Sequence, residues 1–125
     1  MRSTGGKGSD AVLRAIALKL PETEEKPHFD MPSFRVRGKI FATARLSEPK
    51  AMLKLPVVLQ EAMSAELPGV IEPVPGYWGR NGATFIATDK IDRKLFADLV
   101  AAAWTAAAPK SLLAAAPAPK KKKRS

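Results

Sequence analysis

The chain of 125 residues has no cysteine, a single histidine and only 6% aromatic residues. Without thiols there is no disulfide, no thiolate nucleophile and no sulfur-based zinc site, and a reducing cytoplasm suits such a composition. One histidine, His28, accompanied by Asp30 and the glutamates 22, 24 and 25, is thin material for a zinc or iron centre. No apolar run approaches the roughly 18 residues that span a bilayer, and no apolar secretion segment opens the chain, so a cytoplasmic protein with no membrane partner is expected. Catalytic signatures are missing as well. No nucleophile stands beside a base at a recognisable spacing, and there is no dinucleotide fingerprint. Residues 5–9, GGKGS, hint at a phosphate loop, but no strand precedes them and the full glycine-to-lysine spacing is absent. The expectation is a non-enzymatic protein without a cofactor.

What is present is a globular composition, 46% hydrophobic and 26% charged, at a length that supports one modest core. The net charge of +9 is unevenly placed. Lys120, Lys121, Lys122, Lys123 and Arg124 supply five of the cations, Arg2 and Lys7 two more, and residues 8–119 are only slightly basic. Basicity therefore belongs mainly to the ends. Three segments follow: residues 1–8 as a flexible lead-in, 9–111 as the domain, and 112–125 as a disordered Ala/Pro/Lys-rich tail that cannot bury a core.

Within the domain, Ser9 or Asp10 caps a helix reaching Leu20, where Pro21 stops it. Thr23 to Phe29 is a short edge stretch. Ser33 to Leu46 reads as a β-hairpin turning at Gly38-Lys39. Phe34 and Val36 lie on its apolar face, Arg35 and Arg37 on the other, with Ile40, Ala42 and Ala44 apart from Phe41, Thr43 and Arg45. Ala51 to Leu55 alternates with Leu53 and Leu55 inward and Met52 and Lys54 outward. Pro56 opens a helix to Glu66, Val70 to Val74 is a brief edge strand, and Asn81-Gly82 signals a hairpin before Ala83 to Thr88. Asp89 caps a last helix, aided by Asp92, and Pro109 ends it. Two terminal helices on one face of a twisted antiparallel sheet make a two-layer α+β sandwich.

That alternation projects Arg35, Arg37, Arg45 and Lys54 from one sheet face, with Lys39 at the hairpin tip. Such cations can follow a phosphate backbone, and Phe41, Tyr77, Trp78 and Arg80 nearby can stack or insert. The alternative for the same residues is a solvated face whose charges discourage strand pairing, with Tyr77 and Trp78 packing beside a glycine turn. The tail binds polyanions regardless, without sequence preference.

The segments Phe34-Arg35-Val36-Arg37-Gly38-Lys39-Ile40-Phe41-Ala42 and Pro75-Gly76-Tyr77-Trp78-Gly79-Arg80-Asn81-Gly82, with LPETEE, PHFDMPSF and AAAWTAAAPKSLL, resemble the MmcQ/YjbR family of small bacterial proteins. The likeness covers about residues 10–113. It implies a frataxin-like, CyaY-like sandwich and a DNA-binding role. Ala83 departs from it, standing where the family often has a bulky aromatic, and the basic tail looks like an addition. The resulting expectation is a monomeric DNA-binding protein that contacts phosphates through Arg35, Arg37, Lys39, Arg45, Lys54, Tyr77, Trp78 and Arg80 and through the tail. Two alternatives stand beside it: a module docking an acidic protein partner, and a metal-binding protein of frataxin type.

Overall fold

The structure, a computed structural model, describes residues 9–29, 31–45 and 48–115. The N-terminal lead-in, Asp30, Leu46 and the tail cations from Lys120 to Arg124 lie outside those residues. In chain order the elements are α1 (Ser9–Ala17), β1 (Thr23–His28), β2 (Met31–Val36), β3 (Lys39–Ala44), β4 (Lys50–Lys54), α2 (Val57–Glu66), β5 (Ile71–Pro73), α3 (Tyr77–Arg80), β6 (Ala83–Ala87), α4 (Arg93–Ala107) and α5 (Lys110–Ala115). The six strands form one sheet in the order β1-β2-β3-β4-β6-β5, with every neighbouring pair antiparallel. This is the α+β two-layer arrangement that the patterning predicts.

One face of the sheet is dry. Phe34 and Val36 of β2, Ala42 and Ala44 of β3, Ala51 and Leu53 of β4, and Ile86 of β6 are all fully buried there. Small residues on β3 and β4 let helices come close, and α1 and α4 pack across these strands and against each other. From α4 come Phe96, Leu99, Val100, Ala103 and Trp104, a stripe at the three- and four-residue spacing of a helix face. Leu13 and Ala17 of α1 complete the layer. Trp104 also donates its indole N–H to the Pro21 carbonyl at 2.9 Å, which ties α4 to the loop after α1. Outside the layer, Arg14 of α1 makes a bidentate pair with Glu25 of β1, both contacts at 2.7 Å.

Several local expectations change on inspection. The hairpin turn is Arg37-Gly38, not Gly38-Lys39: Val36 pairs with Lys39, and both central residues have positive φ, 51° and 85°. That is the signature of a type I′ turn, whose twist matches the flanking strands. Phe41 is not on the face of Thr43 and Arg45. The register runs Phe34–Ala42 and then Arg35–Ile40, so Phe41 is an extra residue in a β-bulge and its ring turns into the core. Ile40 takes the opposite side.

Asn81-Gly82 does not form a two-residue hairpin turn. Residues 75–82 include the single turn of α3, with Asn81 as its C-cap, before β6 returns alongside β5. The last helix starts a turn later than expected, because Asp92 rather than Asp89 accepts from the Leu95 N–H at 3.0 Å. Helical structure resumes after Pro109 as α5, beyond the boundary expected at residue 111, and Leu112 is buried against the core.

Candidate functional site

Among the described residues, no helix layer covers the second face of the sheet. Its strands present Lys26 and His28 from β1, Ser33 and Arg35 from β2, Ile40 and Thr43 from β3, Met52 and Lys54 from β4, and Phe85 from β6. Cross-strand register sets these rows: Thr43 lies opposite Met52, and Met52 opposite Phe85. Of these, His28, Ile40, Thr43, Met52, Lys54 and Phe85, together with Trp78 from α3, enclose a shallow groove of about 440 Å³. Its floor is apolar, built from Met31, Ile40, Met52 and Phe85, and its rim carries His28, Arg45 and Lys54.

Phe85 lies at the centre of the charge arrangement. The Arg45 guanidinium carbon is 5.4 Å from the ring centroid and the Lys50 ammonium 4.7 Å. Lys50 also faces Glu48 at 3.7 Å. Such cation–π contacts at exposed positions are worth about 0.5 to 1 kcal/mol, so either cation can exchange its ring for a better partner. Arg35 is held more firmly, its Nε donating to Ser33 Oγ at 3.1 Å and its Nη2 to the Pro27 carbonyl at 3.4 Å, while Ser33 Oγ donates to the Lys26 carbonyl at 2.7 Å.

The wall made by α3 is fixed from beneath. Gln60 of α2 is buried, and its amide nitrogen approaches the Gly79 carbonyl at 2.9 Å and the Ala83 carbonyl and Thr84 Oγ1 at 3.0 Å. Thr84 Oγ1 in turn donates to the Gly82 carbonyl at 2.8 Å. The two glycines are required by contact rather than by flexibility alone. A Cβ on Gly79 would lie 1.7 Å from the Val74 carbonyl oxygen, and one on Gly82, at φ +105°, would lie 2.2 Å from that of Leu55. This clamp holds Tyr77 and Trp78 outward, 63% and 64% exposed, with their rings edge-to-face at 5.5 Å. Phe29, 87% exposed at the tip of the β1–β2 hairpin, has φ 58° and stands beside His28 at the far lip. A bulky exposed ring in left-handed backbone is unfavourable twice over, and such positions concentrate at functional sites.

The expected site residues thus separate. Arg45, Lys54 and Trp78 border the groove. Arg35 and Lys54 also line a second depression at the strand ends, shared with Lys39 and with Ala106 and Ala107 of α4. Tyr77 and Arg80 are exposed on α3. Arg37 leaves the face altogether, because the turn carries it to Glu22, with which it makes a bidentate ion pair whose second contact is 3.0 Å. The hydrogen bond from Arg37, helped by charge attraction and opposed by partial desolvation, holds the Glu22 carboxyl below its ordinary value, and Arg37 is raised in return. Glu25 is lowered in the same way, first by its hydrogen bond from Arg14.

Phe85, Met31 and Ile40 of the groove, and Lys50 over the Phe85 ring, were not singled out by the sequence reading. A signal existed for Phe85, since Ala83, Phe85 and Ala87 alternate with the buried Thr84 and Ile86. Among the described residues no three histidine, aspartate or glutamate side chains converge to hold a metal ion, and no helix is long and apolar enough to cross a membrane.

Comparison with known proteins agrees with this architecture. The crystal structure of Deinococcus radiodurans protein DR2400, a DUF419 domain, superposes with a TM-score of 0.68 at 19% sequence identity, covering 82% of this chain and 80% of that one. At that identity the likeness speaks for the fold. No curated protein matches the chain. The YjbR family model matches residues 18–106, from the end of the first helix through α4. The chain belongs to the YjbR family.

Proposed function

We propose that the protein binds nucleic acid, DNA in the first instance, without catalysing a reaction on it, and that the uncovered sheet face is the contact surface. The observation that carries this reading is the convergence of Arg35, Arg45, Lys50 and Lys54 around the sheet face that α1 and α4 leave bare. Cations spaced along adjacent strands can neutralise successive phosphates, which gives affinity with little sequence preference. The basic run from Lys120 to Arg124 adds a second, purely electrostatic contribution. Arg37 is left out of the contact set, since Glu22 already neutralises it.

The test is a salt series of DNA affinity on the full-length chain in two forms, one unaltered and one with Lys120, Lys121, Lys122, Lys123 and Arg124 replaced by serine. Binding by the second form, with a salt slope that falls by about 0.7 to 0.9 for each of Arg45→Ala and Lys54→Ala, is the expected result. Loss of all binding with the tail cations would reduce the activity to that of a polycation. A second reading, a module docking an acidic protein, draws support from the exposed Phe29, Tyr77 and Trp78. Aromatic anchors of this kind are frequent in protein interfaces, and a stoichiometric protein partner that survives nuclease treatment would favour it.

A further inference from the structure

A phosphate-binding surface does not need an apolar floor. Surface patches of large apolar side chains are uncommon without a use, and here Met31, Ile40, Met52 and Phe85 lie at the bottom of a groove within the 300 to 1,000 Å³ range typical of ligand sites. Five of the six strands contribute to it, β1 and β2 with His28 and Met31 at one side, β3 and β4 in the middle and β6 with Phe85 at the other, and Trp78 rises beyond. At about 4.8 Å between strands, the span from β1 to β6 is about 19 Å. The groove is long, shallow, apolar below and cationic at the rim.

Resting on the nucleic-acid reading above, we infer that this groove takes unpaired bases, so that the protein selects single-stranded over duplex nucleic acid. In a duplex the base faces are stacked on one another and only their edges are open in the grooves. Reading those edges calls for a helix or ribbon that projects into the DNA, whereas among the described residues the helix bordering this face is the four-residue α3 and the β1–β2 hairpin is continuous with the sheet. In a single strand every base offers a π-face to an aromatic ring. Stacking of that kind is worth about 1 to 3 kcal/mol per base, against about 0.5 to 1 kcal/mol for each cation now over Phe85. A base laid on Phe85 therefore displaces Arg45 or Lys50 from the ring, and the displaced cation is left beside the phosphate that the base brings with it. Trp78, held outward by the Gln60 clamp, offers a second platform at the groove's end. An extended peptide fits less well. A peptide that added as a strand would need a free edge, and the groove is centred over the interior strands β3 and β4.

The test compares one mixed-sequence DNA oligonucleotide, single-stranded and annealed to its complement, on the full-length chain with its five tail cations replaced by serine. Single strands are expected to bind at least about tenfold more tightly at the same salt. Binding should quench Trp78, which is 64% exposed, and leave the emission of buried Trp104 unchanged, as the Trp78→Ala variant would check. Phe85→Leu, which keeps an apolar side chain but removes the ring, and Trp78→Ala, at an exposed position, should each weaken single-strand binding about 5- to 150-fold and lower it by a larger factor than they lower duplex binding. Equal affinity for the two forms, insensitive to both substitutions, overturns the single-strand inference while the nucleic-acid reading stands. No binding to either form overturns both. Displacement of the single strand by a polyglutamate peptide at matched charge assigns the groove to an acidic polypeptide and also overturns the inference.

Discussion

The two faces of the sheet are made by the same strands and have opposite designs. On β3 and β4 the covered face carries Ala42, Ala44 and Ala51, small residues that admit α1 and α4, whereas the uncovered face carries Thr43, Met52, Lys50 and Lys54. Large side chains on the first face come from strands and helices alike, Phe34, Phe41, Leu53 and Ile86 meeting Phe96, Leu99 and Trp104, and fill space. On the second, Met52 and Phe85 come from the strands and stay half-buried, with no helix layer among the described residues above them. The covered face is specified by volume, and the uncovered one by chemistry. Substitutions should therefore cost stability on one side and binding on the other.

Two phenylalanines sharpen the contrast most. Phe41→Ala empties a fully buried position beside α4 and should destabilise by about 3 to 5 kcal/mol in urea unfolding. Phe85→Ala, half-buried under solvent, should cost well under half of that. Equal losses would mean that the uncovered face also carries part of the core. Gln60→Leu is next in size. It removes the buried amide under α3 for about 1 to 3 kcal/mol, toward the low end because the Gly79 and Ala83 carbonyls keep the N–H groups of Gly82 and Val74. The same change should alter Trp78 fluorescence, since the clamp that aims it is gone.

The acid side of the stability curve separates the faces in a third way. Glu22 and Glu25 titrate below the ordinary 4.5 in the folded chain, through Arg37 and Arg14. Their contribution is therefore complete above about pH 4.5 and is lost as the pH falls through the lower folded values. Replacing both with glutamine should flatten the melting temperature against pH in that window, and an unchanged acid limb would show that neither pair holds β1 in place. The smallest expected effect on stability belongs to Arg45→Ala and Lys54→Ala, within about 0.5 kcal/mol each, although they remove cations from the groove rim.

Helices with clear stripes and strands with clean alternation were legible in the sequence, as were the two-layer class and the family. Position within the hairpin was not. A bulge inserts one residue without a compositional mark, so Phe41 and Ile40 exchanged faces relative to simple alternation, and the groove lost its most visible cue. Arg37 read as a strand residue because arginine is unusual at positive φ, and its partner Glu22 is 15 residues away in sequence. Asn81-Gly82 carries a strong local turn preference that the packing of α3 against Val74 and Leu55 overrides. Alternation alone put Arg35, Arg45 and Lys54 on the uncovered side of the sheet, but it missed Lys50 and wrongly included Arg37. The groove's apolar floor depends on the register of five strands at once, which no local pattern encodes.

The most direct measurement is a map of backbone amide shifts as a single-stranded oligonucleotide is added to the full chain. The account predicts that Thr43, Met52, Phe85 and Trp78 respond while the helices of the covered face do not. Shifts confined to residues 116–125, with the sheet silent, would contradict it.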